Sequence, residues 1–179
     1  MKGNINKKAG EMLLELQVNW LSGGRGILSA WNVGENLRVS LTKENKLETD
    51  QCWSPEYLFL ASVSSGFVKT YISMLSEFNA TVTHLECNAI GCIKNVEGLC
   101  YFETIDLYPD IYIREEADRE KAILAFKKTQ TVGLISNSIK TAIRYHPEVS
   151  LESQRNAHPG GPLPKVEKER LFVTPGKEY

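Results

Sequence analysis

The chain has 179 residues, 42% of them hydrophobic, and its 21 Lys plus Arg against 22 Asp plus Glu leave a formal charge of -1. That length suits one sizeable core with some appendage and argues against two full domains. No net field draws it to polyanions, so neither nucleic acid nor an anionic membrane surface is an expected partner.

The opening MKGNINKKAG is polar and has no signal pattern, so the expected location is cytoplasmic. The four cysteines, Cys52, Cys87, Cys92 and Cys100, are then expected as free thiols. EMLLELQVNW alternates Met12, Leu14, Leu16, Val18 and Trp20 against polar neighbours, the period of a half-buried strand. SGGRG reads as a turn, ILSAWNV as the returning strand and NLRVSLTKEN as a third, which together predict an antiparallel meander.

Ser54, Pro55 and Glu56 combine a hydroxyl cap, a proline at the first helical position and a carboxylate at the positive end of the dipole. They predict a helix running to about Glu77. Apolar residues surround much of it, from Leu58 to Phe78, which predicts burial on several sides. Ser62, Ser64, Ser65 and Lys69 interrupt the same run and argue against a membrane span. ATVTHLECNAIGCI and LCYFETIDLYPDIYI, separated by KNVEG, predict a long hairpin over that helix. EEADREKAILAFKKTQ predicts a charged helix with a stripe at Ala122, Ile123 and Phe126, and a further helix begins near Gly133. AIRYHPEVSLE predicts a last short strand that Pro147 confines to an edge. The order defines an α+β domain over residues 1–152, antiparallel sheets around a long central helix. Residues 153–179 hold Pro159, Pro162, Pro164 and Pro175 and cannot form their own core. They read either as a disordered end or as an arm whose RLFV docks on the domain or on a partner subunit.

SGGRG (22–26), SPEYLFLASVSSGF (54–67) and VGLISNSIK (132–140), in that order on those elements, resemble the OsmC/Ohr family, the osmotically induced and organic hydroperoxide resistance proteins. The resemblance covers residues 11–150. It implies an intertwined homodimer with sites at the interface, and a site built from a turn arginine, a Pro-Glu helix start, a peroxidatic cysteine and a resolving cysteine. Arg25 matches the arginine and Glu56 the glutamate. Gly66 stands where the peroxidatic cysteine belongs and Gly133 where the resolving cysteine belongs. Family chemistry needs a thiolate, a sulfenic acid and a second thiol, and neither glycine offers sulfur.

Each candidate carries two readings. Gly66 costs a helix roughly 1 kcal/mol relative to alanine, and it answers either to close helix packing or to a ligand pocket. Gly133 is either a helix-terminus glycine or the second half of a lost dithiol. Arg25 is solvated, or holds an anionic head, or pairs with Glu56, for which service to the helix dipole alone is an equal reading. An unbroken helix separates Glu56 from position 66 by about 15 Å, so a shared site calls for a bridging Arg25 or a second subunit. Cys52 precedes the helix, where the dipole could activate it, or is simply packed beside Trp53. Cys87, Cys92 and Cys100 read as small core residues, with no zinc spacing. His84, His146 and His158 are scattered, and no metal or cofactor is expected. The leading expectation is a binding protein that has lost the dithiol and takes a small amphipathic ligand at a dimer interface. The alternatives are a thiol enzyme using Cys52 and a purely structural or interaction dimer.

Overall fold

The computed structural model describes residues 14–21, 24–30, 32–41 and 52–157. Residues 11–13 of the first predicted strand, the Ser22–Gly23 turn residues and the tail beyond residue 157 lie outside the described residues. The chain divides after Leu58 into two compact units.

The first unit is the predicted meander: β1 (Gln17–Trp20), β2 (Arg25–Ser29) and β3 (Leu37–Ser40), antiparallel in the order β1-β2-β3. Gly26 packs where a side chain would strike Leu41 and Val39, 2.8 and 3.2 Å from its Cβ position. Trp53 bridges alongside Val39, with Ser40 N–H donating to Trp53 O at 2.9 Å and Trp53 N–H to Arg38 O at 3.1 Å.

The predicted helix is α1 (Pro55–Glu77). Its Ser54 hydroxyl accepts from Tyr57 N–H at 3.4 Å, a long cap bond. In the second unit α1 buries one stripe, Val63, Phe67, Tyr71 and Leu75, the i, i+4 spacing of a single face. Burial on several sides is not what this one chain provides: Ile72 remains 54% exposed. The stripe packs on β5 (Leu99–Ile113), which with β4 (Val82–Val96) makes the expected long hairpin. Ile105, Leu107, Ile111 and Ile113 of β5 are buried and share the core with that stripe. Glu97 and Gly98 close the hairpin with positive φ, 51° and 85°, the conformation of a two-residue turn that follows strand twist.

Helix α2 (Arg119–Val132) buries Ala122, Ala125, Phe126 and Thr129. Its stripe is thus rotated from the expected one, with Ile123 facing outward at 37% exposure. Tyr71 Oη donates to Ala122 O at 3.1 Å and ties α1 to α2. Burial without a charged neighbour pushes that phenol well above its ordinary pKa. The short α3 (Leu134–Ser138) follows.

The last segment differs from expectation. Instead of one edge strand it makes two, β6 (Ala142–Tyr145) and β7 (Glu148–Leu151), broken at His146–Pro147. Both pair with β5 in parallel, so this sheet is mixed. β6 covers Thr104–Leu107 and β7 covers Asp110–Ile113, leaving Tyr108 and Pro109 between them. A proline with no N–H to give fits a long inner strand only at such an interruption. Cys92 and Cys100 are exposed, not core residues as expected, and Cys87 is half-buried.

Candidate functional site

Gly66 and Gly133 line the same small cavity, with Thr129, Ser136 and Tyr145 around it. The structure therefore brings together the two positions that the motif match paired. The cavity has a volume of about 10 Å³, at the lower limit for one water. A Cβ on Gly66 would lie 2.8 Å from Ile135 Cγ1 and 3.2 Å from Ile135 Cβ, so α3 takes the space that a side chain would need. At Gly133 a Cβ would meet Ser136 Oγ at 2.5 Å, and that hydroxyl donates to Gly133 O at 3.0 Å. Gly133 itself is buried, with φ -65° and ψ 123°, a conformation open to any residue. It is the junction of α2 and α3, and its glycine answers to space and not to backbone strain. Burial raises the Tyr145 phenol, against an opposing contribution from Ser136.

The other sequence candidates lie in the first unit. Arg25 opens β2 and is exposed, Cys52 is half-buried just before α1, and Glu56 is exposed in the first turn of α1.

A larger space opens on α1 away from the glycines. At 100° per residue, Gly66 and Ile72 lie about 120° from the centre of the buried stripe on opposite sides, and Lys69 lies on the face directly behind it. On the Ile72 side an open groove of about 580 Å³ is lined by Ser64, Ser65, Val68, Lys69, Ile72, Ser73 and Cys87. Its walls are mainly apolar and Lys69 is the cation on its rim. Burial, reinforced by Asp110, pushes the Cys87 thiol up to about 12, which keeps it protonated and a poor nucleophile near neutrality.

The sequence reading missed one polar cluster. Asp106 is 7% exposed and accepts from Arg144 Nε at 2.7 Å and Nη2 at 2.5 Å, with His146 Nε2 at 2.8 Å on the same carboxylate. Hydrogen bonds from Arg144, then from His146, hold its pKa below the usual carboxylate value against desolvation. Tyr108 stacks on the His146 ring at 4.6 Å. The available signal was the two-residue spacing of Arg144 and His146; Asp106 sits on the more polar parity of β5, with Thr104 and Asp110, and so did not stand out.

No family model matches the sequence, and no curated protein matches it by sequence. Solved structures do match. An OsmC-like protein of unknown function from Vibrio cholerae superposes with a TM-score of 0.67 at 15% identity, over 77% of this chain and 100% of the other. An OsmC-like protein from Mycoplasma pneumoniae gives 0.64 at 11%, over 79% and 98%. An organic hydroperoxide resistance protein from Elizabethkingia anophelis gives 0.60 at 18%, over 80% and 99%. The chain has the α+β fold of the OsmC-like and organic hydroperoxide resistance proteins.

Proposed function

We propose that this chain is a binding protein on the OsmC/Ohr scaffold, without the dithiol peroxidase site, and that it takes a small amphipathic carboxylate along the open flank of α1. What supports the reading is the contrast between the two flanks. The flank that would carry the peroxide chemistry has glycine at both thiol positions and is packed shut by Ile135 and Ser136. The other flank offers a groove within the range of ordinary ligand sites, with an apolar wall and Lys69 at its rim. An aliphatic tail gains by leaving water along Val68 and Ile72, and a carboxylate head gains a charge-assisted hydrogen bond from the ammonium. The cations offered for the head are Lys69 in the groove and Arg25 on β2; the groove geometry favours Lys69.

Titration with dodecanoate, read by displacement of a fluorescent fatty acid, tests the reading. Lys69→Ala should weaken binding by about 1.5–3 kcal/mol, the range for a hydrogen bond to a charged group. Loss in Arg25→Ala with Lys69→Ala unchanged would move the head to the arginine of the motif. Absence of binding by the unaltered protein would leave the structural dimer as the better reading. A thiol enzyme built on Cys52 is the remaining alternative, and its test is the peroxide assay given in the Discussion.

A further inference from the structure

Two grooves on α1 are consecutive parts of one crevice. The groove already described has Ser65, Val68 and Ile72 on its helix side and Cys87 on its strand side. A second groove, of about 330 Å³, continues from it with Ile72, Leu75 and Ser76 on the helix and Val82, His84 and Leu85 on the strand. Ile72 lines both. Residues 65, 68, 72 and 76 step along one helix face, and Leu85 and Cys87, two apart on β4, share a strand face. As the helix numbers rise the strand numbers fall, so α1 and β4 run antiparallel along the two sides of the same trough.

Each end of the trough carries a cation. At the Ser65 end it is Lys69. At the other end the His84 wall holds Arg155, whose Nη2 lies 3.3 Å from His84 Nε2. A guanidinium only donates, so His84 Nε2 accepts and brings no charge to the pair. The guanidinium carbon lies over the Tyr112 ring, 5.9 Å from its centre, a cation–π contact that fixes the group without neutralising it. Among the described residues no carboxylate pairs with Arg155. Between the two cations the trough is apolar, with Val68, Ile72, Leu75 and Leu85 along it, and Ile72 at the waist is 54% exposed. From position 69 to position 76 the helix rises about 10 Å, a span suited to an extended alkyl chain.

We propose that the ligand of this crevice is a long-chain α,ω-dicarboxylate, with one carboxylate on Lys69, the other on Arg155 and the methylene chain lying over Ile72. The proposal rests on the reading of the α1 groove as a carboxylate site and adds the second head. A monocarboxylate of equal length would lay its methyl end against a guanidinium. A second carboxylate instead takes charge-assisted hydrogen bonds from the planar fork, while the chain between the heads covers apolar surface in either case.

Competition against a fluorescent fatty acid, with hexadecanoate and hexadecanedioate compared below their aggregation concentrations, tests the second head. The unaltered protein should hold the diacid at least about tenfold more tightly than the monoacid, the lower end for a hydrogen bond to a charged group. In Arg155→Gln, with the circular dichroism spectrum of the unaltered chain, that ratio should fall to the small statistical advantage of having two heads. Binding of hexadecanoate with no more than that statistical advantage for the diacid in the unaltered protein would overturn the proposal and leave the single-headed site standing. A tenfold advantage that persists in Arg155→Gln would overturn it as well, since the second carboxylate would then sit elsewhere. If neither acid binds, the carboxylate site and its second head fall together.

Discussion

Gly66 and Gly133 meet at one small cavity, and at Gly66 the demand for glycine resides in Ile135, whose Cγ1 sits 2.8 Å from where a Cβ on Gly66 would be. The packing can be tested directly. Gly66→Ala gains roughly 1 kcal/mol of helix propensity but forces a clash whose usual cost is about 1–3 kcal/mol, so it should be neutral to destabilising in urea melts. Adding Ile135→Ala, which removes the Cγ1 that the new methyl would strike, should make the alanine stabilising relative to the Ile135→Ala single variant. A stabilising Gly66→Ala in the unaltered background would mean that the space beside α1 is open.

Among the elements, those with a strong local period were readable. α1 was bounded by Ser54–Pro55 at one end and Glu77 at the other, and the β4–β5 hairpin followed from alternation. What failed was what depends on neighbours: the second edge strand, its parallel direction and the polar cluster that fastens it. AIRYHPEVSLE carries no mark of direction, and Asp106 finds Arg144 and His146 only once β6 lies against β5. The cluster has a consequence for acid stability. The Asp106 pKa is lowered in the folded protein, so its contribution is fully present above the ordinary carboxylate pKa of about 3.9 and is lost as pH falls through the lowered value. Asp106→Asn should cost about 1–3 kcal/mol at pH 7 and flatten the acid limb of a stability profile measured between pH 2 and 7. A parallel offset with the same acid slope would place the titrating group elsewhere.

For the whole molecule, the motif order carried the α+β fold, and solved structures at 10–18% identity share it. Association was expected from the sequence and is proposed from what one chain leaves uncovered. In the first unit Trp20 is 71% exposed, with Leu14 and Leu16 also exposed. Apolar surface on that scale marks an interface, and we propose a homodimer. Sedimentation velocity should give about twice the 20.1 kDa chain mass at micromolar concentration, and Trp20→Asp should shift it toward monomer. A single 20 kDa species throughout would remove the dimer.

We propose that the scaffold persists here without the peroxidase chemistry. Reducing an organic hydroperoxide requires a thiolate to attack the peroxide oxygen and a reductant to return the resulting sulfenic acid. Gly66 and Gly133 have no sulfur, and the Cys87 thiol is held protonated by burial and by Asp110. The direct measurement is consumption of tert-butyl hydroperoxide by the purified protein with dithiothreitol as reductant, alongside Cys52→Ser. The expected result is a rate no greater than that of dithiothreitol alone for both proteins. Turnover above that rate, and its disappearance in Cys52→Ser, would contradict the claim and make the chain a single-thiol peroxidase.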